Sequence, residues 1–141
     1  MPRIEIGPFG TEQAQLYRLS NQAGMVVTLT NFGARIVEIL LPVDGQLRSV
    51  SLAAQSDEDY LEKDAYVGST VAPVAGRISG AATSIKGQLV HLTENEPGRT
   101  LHSGDKASNQ QYWQASMDEA ANQVSFNLVL PDGYNGFPGP V

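Results

Sequence analysis

Apolar and polar side chains alternate with a period of two along most of this chain. Met25-Val26-Val27-Thr28-Leu29-Thr30 and the run from Arg35 to Leu41 read as strands, joined by a short turn at Asn31-Phe32-Gly33-Ala34. Asp44-Gly45 signals a two-residue hairpin, because such turns need positive φ and glycine adopts it freely. It leads into a strand at Ser49-Val50-Ser51-Leu52. Ser84-Ile85, a turn at Lys86-Gly87 and Gln88-Leu89-Val90-His91-Leu92 form another predicted hairpin. Trp113 to Met117 and Gln123 to Leu130 alternate cleanly, with the polar loop from Asp118 to Asn122 between them. Only Ser56-Asp57-Glu58-Asp59-Tyr60-Leu61-Glu62 reads as helix, with Ser56 as its cap and three acids facing the positive end of the helix dipole. Many short strands separated by turn signals predict an all-β fold, an antiparallel β-sandwich or barrel with one short helix.

Composition narrows the function classes. A length of 141 residues suits one domain spanning residues 1–141, and 41% apolar with 17% charged residues suits a packed globular chain. The net charge of −6, with few and scattered Lys and Arg, argues against nucleic acid and against an anionic membrane surface. There is no cysteine, which removes disulfides, thiol nucleophiles and thiolate metal sites; two histidines far apart give no ligand spacing. The opening Met1-Pro2-Arg3-Ile4-Glu5 has no apolar signal core, and no later run approaches membrane-spanning length. A soluble cytoplasmic protein is the expectation.

Two residues stand out chemically. Arg77 follows Val74-Ala75-Gly76, where small residues permit close approach to the backbone, and a guanidinium there can fork onto ligand oxygens. The competing reading is a structural ion pair with one of the many carboxylates. His102, in Leu101-His102-Ser103-Gly104, follows a predicted loop at residues 95–100 and can move a proton near neutral pH. A plain surface or capped histidine is the alternative there. Ser103 and Asp105 beside it do not make a triad, because neighbours in extended chain point opposite ways. His91 reads as a half-buried strand residue without a role. Glu94 and Glu96 share a strand face and offer a general base only weakly, while Asp57, Glu58 and Asp59 are accounted for by the helix start. Trp113, Tyr134 and Phe137 suit either ligand stacking or the core.

Several segments together resemble the amino-terminal part of the aldose 1-epimerase (galactose mutarotase) family. They are Asn31-Phe32-Gly33-Ala34-Arg35-Ile36, Gly68-Ser69-Thr70-Val71 running to Gly76-Arg77-Ile78, Leu101-His102-Ser103-Gly104, the strand opening at Trp113, and Pro131-Asp132-Gly133 with Gly136-Phe137-Pro138-Gly139. The resemblance implies a large antiparallel β-sandwich, the galactose mutarotase-like supersandwich, of which this chain is the amino-terminal portion. It implies an isomerase of carbohydrate metabolism that interconverts α and β anomers of aldoses such as galactose or glucose, with no metal or cofactor. A base takes the anomeric hydroxyl proton while an acid protonates the ring oxygen.

By the resemblance, Arg77 binds sugar hydroxyls, and His102 orients the sugar near its ring oxygen as an auxiliary proton donor. The family's principal acid, a second histidine, and its base, a glutamate, fall beyond this chain's matching segments, so the chain alone is expected to be inactive. Two departures bear on the substrate. Ala72-Pro73 stands where the family often has Gly-Arg, and Gly76 replaces an asparagine that often contacts sugar. Ser103 replaces a glycine of a His-Gly-Gly run. These departures leave a non-catalytic sugar-binding module as the alternative. A part-sandwich with uncovered strand edges also predicts self-association.

Overall fold

The structure, a computed structural model, describes residues 3–63 and 66–141. Its main layer is a five-stranded antiparallel sheet in the order β1-β2-β3-β4-β5. The strands are β1 (Arg3–Phe9), β2 (Thr11–Ser20), β3 (Val26–Thr30), β4 (Arg35–Val43) and β5 (Gln46–Ser49). The turn between β4 and β5 is Asp44-Gly45, with φ of 52° and 78°, so both central residues adopt the left-handed geometry of the tight hairpin turn read from the sequence. The fifth strand begins three residues earlier than the expected Ser49 start. Helix α1 (Asp57–Lys63) follows, with the Ser56 hydroxyl accepting the Asp59 N–H at 3.1 Å as its cap. No helix among the described residues is long and apolar enough to cross a membrane.

Three two-stranded ladders complete the strand set: β6 (Arg77–Ser79) with β9 (Arg99–Leu101), β7 (Ala82–Ile85) with β8 (Gln88–His91), and β10 (Gln114–Asp118) with β11 (Gln123–Asn127). All are antiparallel. The turn at Lys86-Gly87 is the one the sequence signals, again with positive φ at both residues. The fold is thus built from antiparallel sheets with one short helix, as expected. The β10–β11 hairpin lies on the main sheet through an edge-to-face contact of Tyr17 and Phe126, 5.6 Å between ring centres.

Between α1 and the sheet sits the core of Phe9, Ala14, Phe32, Val37 and Tyr60, bordered by Leu16, Ala54, Val67 and Tyr112. Two charged residues are buried at its rim. Arg35 is 0% exposed; its guanidinium donates to the carbonyls of Phe32 (2.9 Å), Val67 (3.2 Å) and Asn109 (2.6 Å), and lies 4.1 Å from the Tyr60 ring centre. Gly33 makes room for this: a Cβ there would fall 2.5 Å from the Asn109 oxygen, and its φ is +71°. Asp57, also 0% exposed, accepts hydrogen bonds from the Thr11 and Tyr112 hydroxyls, both at 2.5 Å, and from the Thr11 N–H at 3.0 Å. Helix capping alone therefore does not account for Asp57; it ties α1 to β2 and to the loop before β10.

Candidate functional site

Arg77 and His102 are brought to the same end of one ladder because β6 and β9 pair. Arg77 stands opposite Leu101 in that ladder, which puts His102 opposite Gly76. The two positions are joined twice: the His102 N–H donates to the Gly76 carbonyl at 2.9 Å, and the Gly76 N–H donates to the imidazole Nδ1 at 3.0 Å. A nitrogen that accepts this bond carries no proton, so the neutral ring holds its proton on Nε2. The ring is packed against Tyr66, 4.6 Å between ring centres and tilted by 56°. The imidazole is thereby fixed in orientation, and the neutral ring is left with Nε2–H as its donor.

The backbone around it is unusual. His102, Ser103 and Gly104 have φ of 48°, 71° and 96°, three left-handed residues in succession. For the two non-glycine residues that geometry costs about 1–2 kcal/mol each. The serine repays part of it: its buried hydroxyl accepts the Val74 N–H and donates to the Val74 carbonyl, both at 2.8 Å. Ser108 makes a similar staple, accepting from the Ala72 N–H and donating to the Thr70 carbonyl, both at 2.8 Å. The segment from Thr70 to Gly76 is thus pinned to the segment from His102 to Ser108 by side chains that no motif announces. Gly76 itself has φ of +85° with nothing within 4 Å of the Cβ it lacks. Asparagine tolerates the same conformation better than other side chains do.

Arg77 is half-exposed, and its guanidinium is held by Glu96 through two parallel hydrogen bonds, Nε to Oε2 at 2.7 Å and Nη2 to Oε1 at 2.9 Å. The ion-pair reading of Arg77 is therefore correct, and its partner is named. Arg99 lies 3.7 Å from the same carboxylate. The hydrogen bond from Arg77 holds the Glu96 carboxyl below the usual carboxylate range and raises the arginine in turn. Glu96 stays ionised at neutral pH and is a poor proton acceptor, which removes it as a general base. Glu94 accepts the Gly98 N–H at 2.8 Å, closing the 94–98 turn. Asn95 brackets Leu101, accepting its N–H at 2.7 Å and donating to its carbonyl at 2.9 Å.

Other candidates fall elsewhere. His91 is exposed at the end of β8, not half-buried, because the neighbour that turns inward is Leu92. The Ser103 hydroxyl is occupied by Val74, in keeping with the rejected triad. Trp113 is half-buried with Nε1–H on the Ser108 carbonyl at 2.9 Å, and Phe137 is in the interior. Tyr134 donates to the Lys106 carbonyl at 2.7 Å. Tyr66 and Glu96 are the site neighbours that sequence reasoning did not single out for these roles; the turn after α1 brings the first against His102, and the turn before β9 brings the second against Arg77.

The family profile described as Aldose 1-epimerase matches residues 15–141. The chain belongs to the aldose 1-epimerase family. It is 34% identical to the aldose 1-epimerase of Escherichia coli (strain K12) over 126 residues, covering 89% of this chain and 36% of that protein. It is 29% identical over 123 residues to the maltose epimerase of Levilactobacillus brevis, covering 87% of this chain and 36% of the relative. A crystal structure of galactose 1-epimerase from Lactobacillus acidophilus NCFM superposes with a TM-score of 0.81 at 26% identity, over 99% of this chain and 42% of the other. The chain thus spans between a third and about two fifths of the length of these epimerase-family relatives.

Proposed function

We propose that this chain supplies the sugar-holding face of an epimerase acting on the anomeric carbon of neutral aldoses. The observation that carries the reading is the imidazole of His102, held by the Gly76 N–H on Nδ1 so that the neutral ring donates through Nε2, one strand position beyond the Leu101 that pairs with Arg77. A donor fixed in this way suits the ring oxygen of a sugar, which gains a proton as the ring opens. The guanidinium of Arg77 suits vicinal hydroxyls, which accept paired hydrogen bonds from it. Proton removal from the anomeric hydroxyl requires a base that neither Glu96, ionised and paired, nor His91, outside the cluster, provides. The chain by itself should therefore bind sugar and turn it over slowly or not at all.

Calorimetric titration with galactose, glucose and maltose tests this directly. Binding that weakens about tenfold or more in Arg77→Ala and in His102→Ala supports the assignment, since charge-assisted hydrogen bonds are of that order. Unchanged binding in both variants removes it. In parallel, the optical rotation of fresh α-galactose should decay at the uncatalysed rate with the chain alone; rapid saturable decay would mean that the acid and base lie within these residues. A second reading, a sugar-binding module without catalysis, is favoured by Pro73 and Gly76, which withdraw polar side chains from the segment before Arg77. It shares the binding outcome and differs in that a full-length parent would also leave optical rotation unaccelerated.

A further inference from the structure

The proposed function accounts for Arg77 and leaves open why so much of its hydrogen-bonding capacity is spent on Glu96. We infer that Glu96 is a positioning and specificity residue: it aims the Arg77 guanidinium and cancels its charge, so that the site accepts neutral polyols and turns away sugar acids and sugar phosphates. This rests on the sugar-holding reading of Arg77 and adds to it the class of sugar admitted.

Arginine has five N–H donors. Glu96 takes the one on Nε and one on Nη2, which leaves three, two on Nη1 and one on Nη2, directed away from the carboxylate. Bidentate pairing fixes the guanidinium plane, so the remaining donors present a set geometry. Exposed ion pairs contribute little to stability, and this one, with Arg77 half-exposed, is a weak staple for the fold. Its consequence is electrostatic and local. Among the described residues, Arg77, Arg99, Glu94 and Glu96 lie around this ladder and the turn that leads into β9. Arg99 approaches Glu96 at 3.7 Å, and Glu94 is turned onto the Gly98 N–H. Within this group of four the formal charges cancel, and both guanidinium groups approach the one Glu96 carboxylate. An anion approaching the free side of Arg77 meets the Glu96 carboxylate directly behind it. A hydroxyl needs no such compensation.

Glu96 is itself held in place. Its backbone N–H and carbonyl bridge to Arg99 at 3.3 and 3.0 Å, and the neighbouring Asn95 clamps both polar groups of Leu101. The carboxylate is therefore carried by the turn that leads into β9, the strand that His102 directly follows, which ties Arg77 to the imidazole's segment.

The test compares galactose, galacturonate and inorganic phosphate as titrants for the 141-residue chain and three variants. The wild type should bind galactose more tightly than galacturonate. In Glu96→Gln the ratio of galacturonate to galactose affinity should rise about tenfold or more, and the gain should vanish at high salt and in the double variant Arg77→Ala/Glu96→Gln. Glu96→Asp keeps the charge but shortens the reach; it should lose galactose affinity with no gain for the acid, which separates aiming from neutralising. A ratio unchanged in Glu96→Gln overturns the inference, as does a wild type that already prefers galacturonate. If the wild type binds neither sugar, the proposed function fails and phosphate decides this inference: binding gained in Glu96→Gln and lost in the double variant upholds it, and no gain overturns it.

Discussion

Asp57 shows how one buried carboxylate can be more than the helix-start acid its surroundings suggest. Burial pushes its pKa up, but hydrogen bonds from the Thr11 and Tyr112 hydroxyls and from the N–H groups of Thr11 and Glu58 outweigh this and hold it below the ordinary value. An Asp of lowered folded pKa contributes stability above its unfolded value, near 3.9, and loses it as pH falls through the folded value. Asp57→Asn should therefore flatten the acid limb: measured by urea unfolding from pH 7 to pH 2, the variant should lose less stability below about pH 4 than the wild type. An equal slope in both would place the acid sensitivity elsewhere. At pH 7, Asp57→Ala should cost about 2–3 kcal/mol, because it strands buried donors. Gly76 predicts the reverse kind of outcome. With open space at its Cβ position and φ of +85°, Gly76→Asn should leave the thermal midpoint nearly unchanged, whereas Gly76→Val should lose about 1–2 kcal/mol. The sequence displayed the residues that reach the ladder end, Arg77 and His102, through their glycine- and alanine-rich setting. It did not display Tyr66 or the partnership of Glu96, because both depend on loops folding back across a strand pair.

At the level of elements, legibility followed burial. Strands β3 and β4 and the hairpins closed by Asp44-Gly45 and Lys86-Gly87 were readable because one face is apolar and the turn residues need positive φ. Strands β1 and β2 were not. The first carries Gly7-Pro8 and ends in a register shift, and the second buries Ala14 and Tyr17, three apart, among Glu12, Gln13, Gln15 and Arg18. The short alternation of Ile4 and Ile6 is cut off at Gly7-Pro8, and the polar residues of β2 break its period. The short β6 and β9 were hidden for another reason. Three residues each are too few for a pattern, and Asn95 continues their edge with side-chain groups in place of a backbone pair. Asn95→Ala should expose both polar groups of Leu101, reduce stability by about 1–2 kcal/mol and speed amide exchange at Leu101. Faster exchange confined to other strands would show that the clamp is dispensable.

The whole molecule exposes 8448 Å² of solvent-accessible surface, whereas a compact monomer of its 15.1 kDa mass exposes about 7,100 Å². The difference, about 1,350 Å², exceeds the roughly 800 Å² that one partner contributes to a standard-size interface. Leu52, Leu89 and Val129 stand 78%, 69% and 76% exposed. The 141-residue chain should accordingly self-associate: sedimentation velocity should give a mass that rises with concentration, and a single 15.1 kDa species at high concentration would contradict this. The ties that bound the candidate site are short-range by comparison with those that bound the core. Gly76 and His102 are 26 residues apart and Arg77 and Glu96 are 19, against 55 for Asp57 and Tyr112 and 74 for Arg35 and Asn109. Closing a shorter loop costs less entropy and happens sooner. As the chain leaves the ribosome at about 5–20 residues per second, the ladder that carries Arg77 and His102 can therefore close without waiting for anything translated later. That ladder would then stand formed before the Arg35 and Asp57 ties, whose partners Asn109 and Tyr112 are translated later, can close.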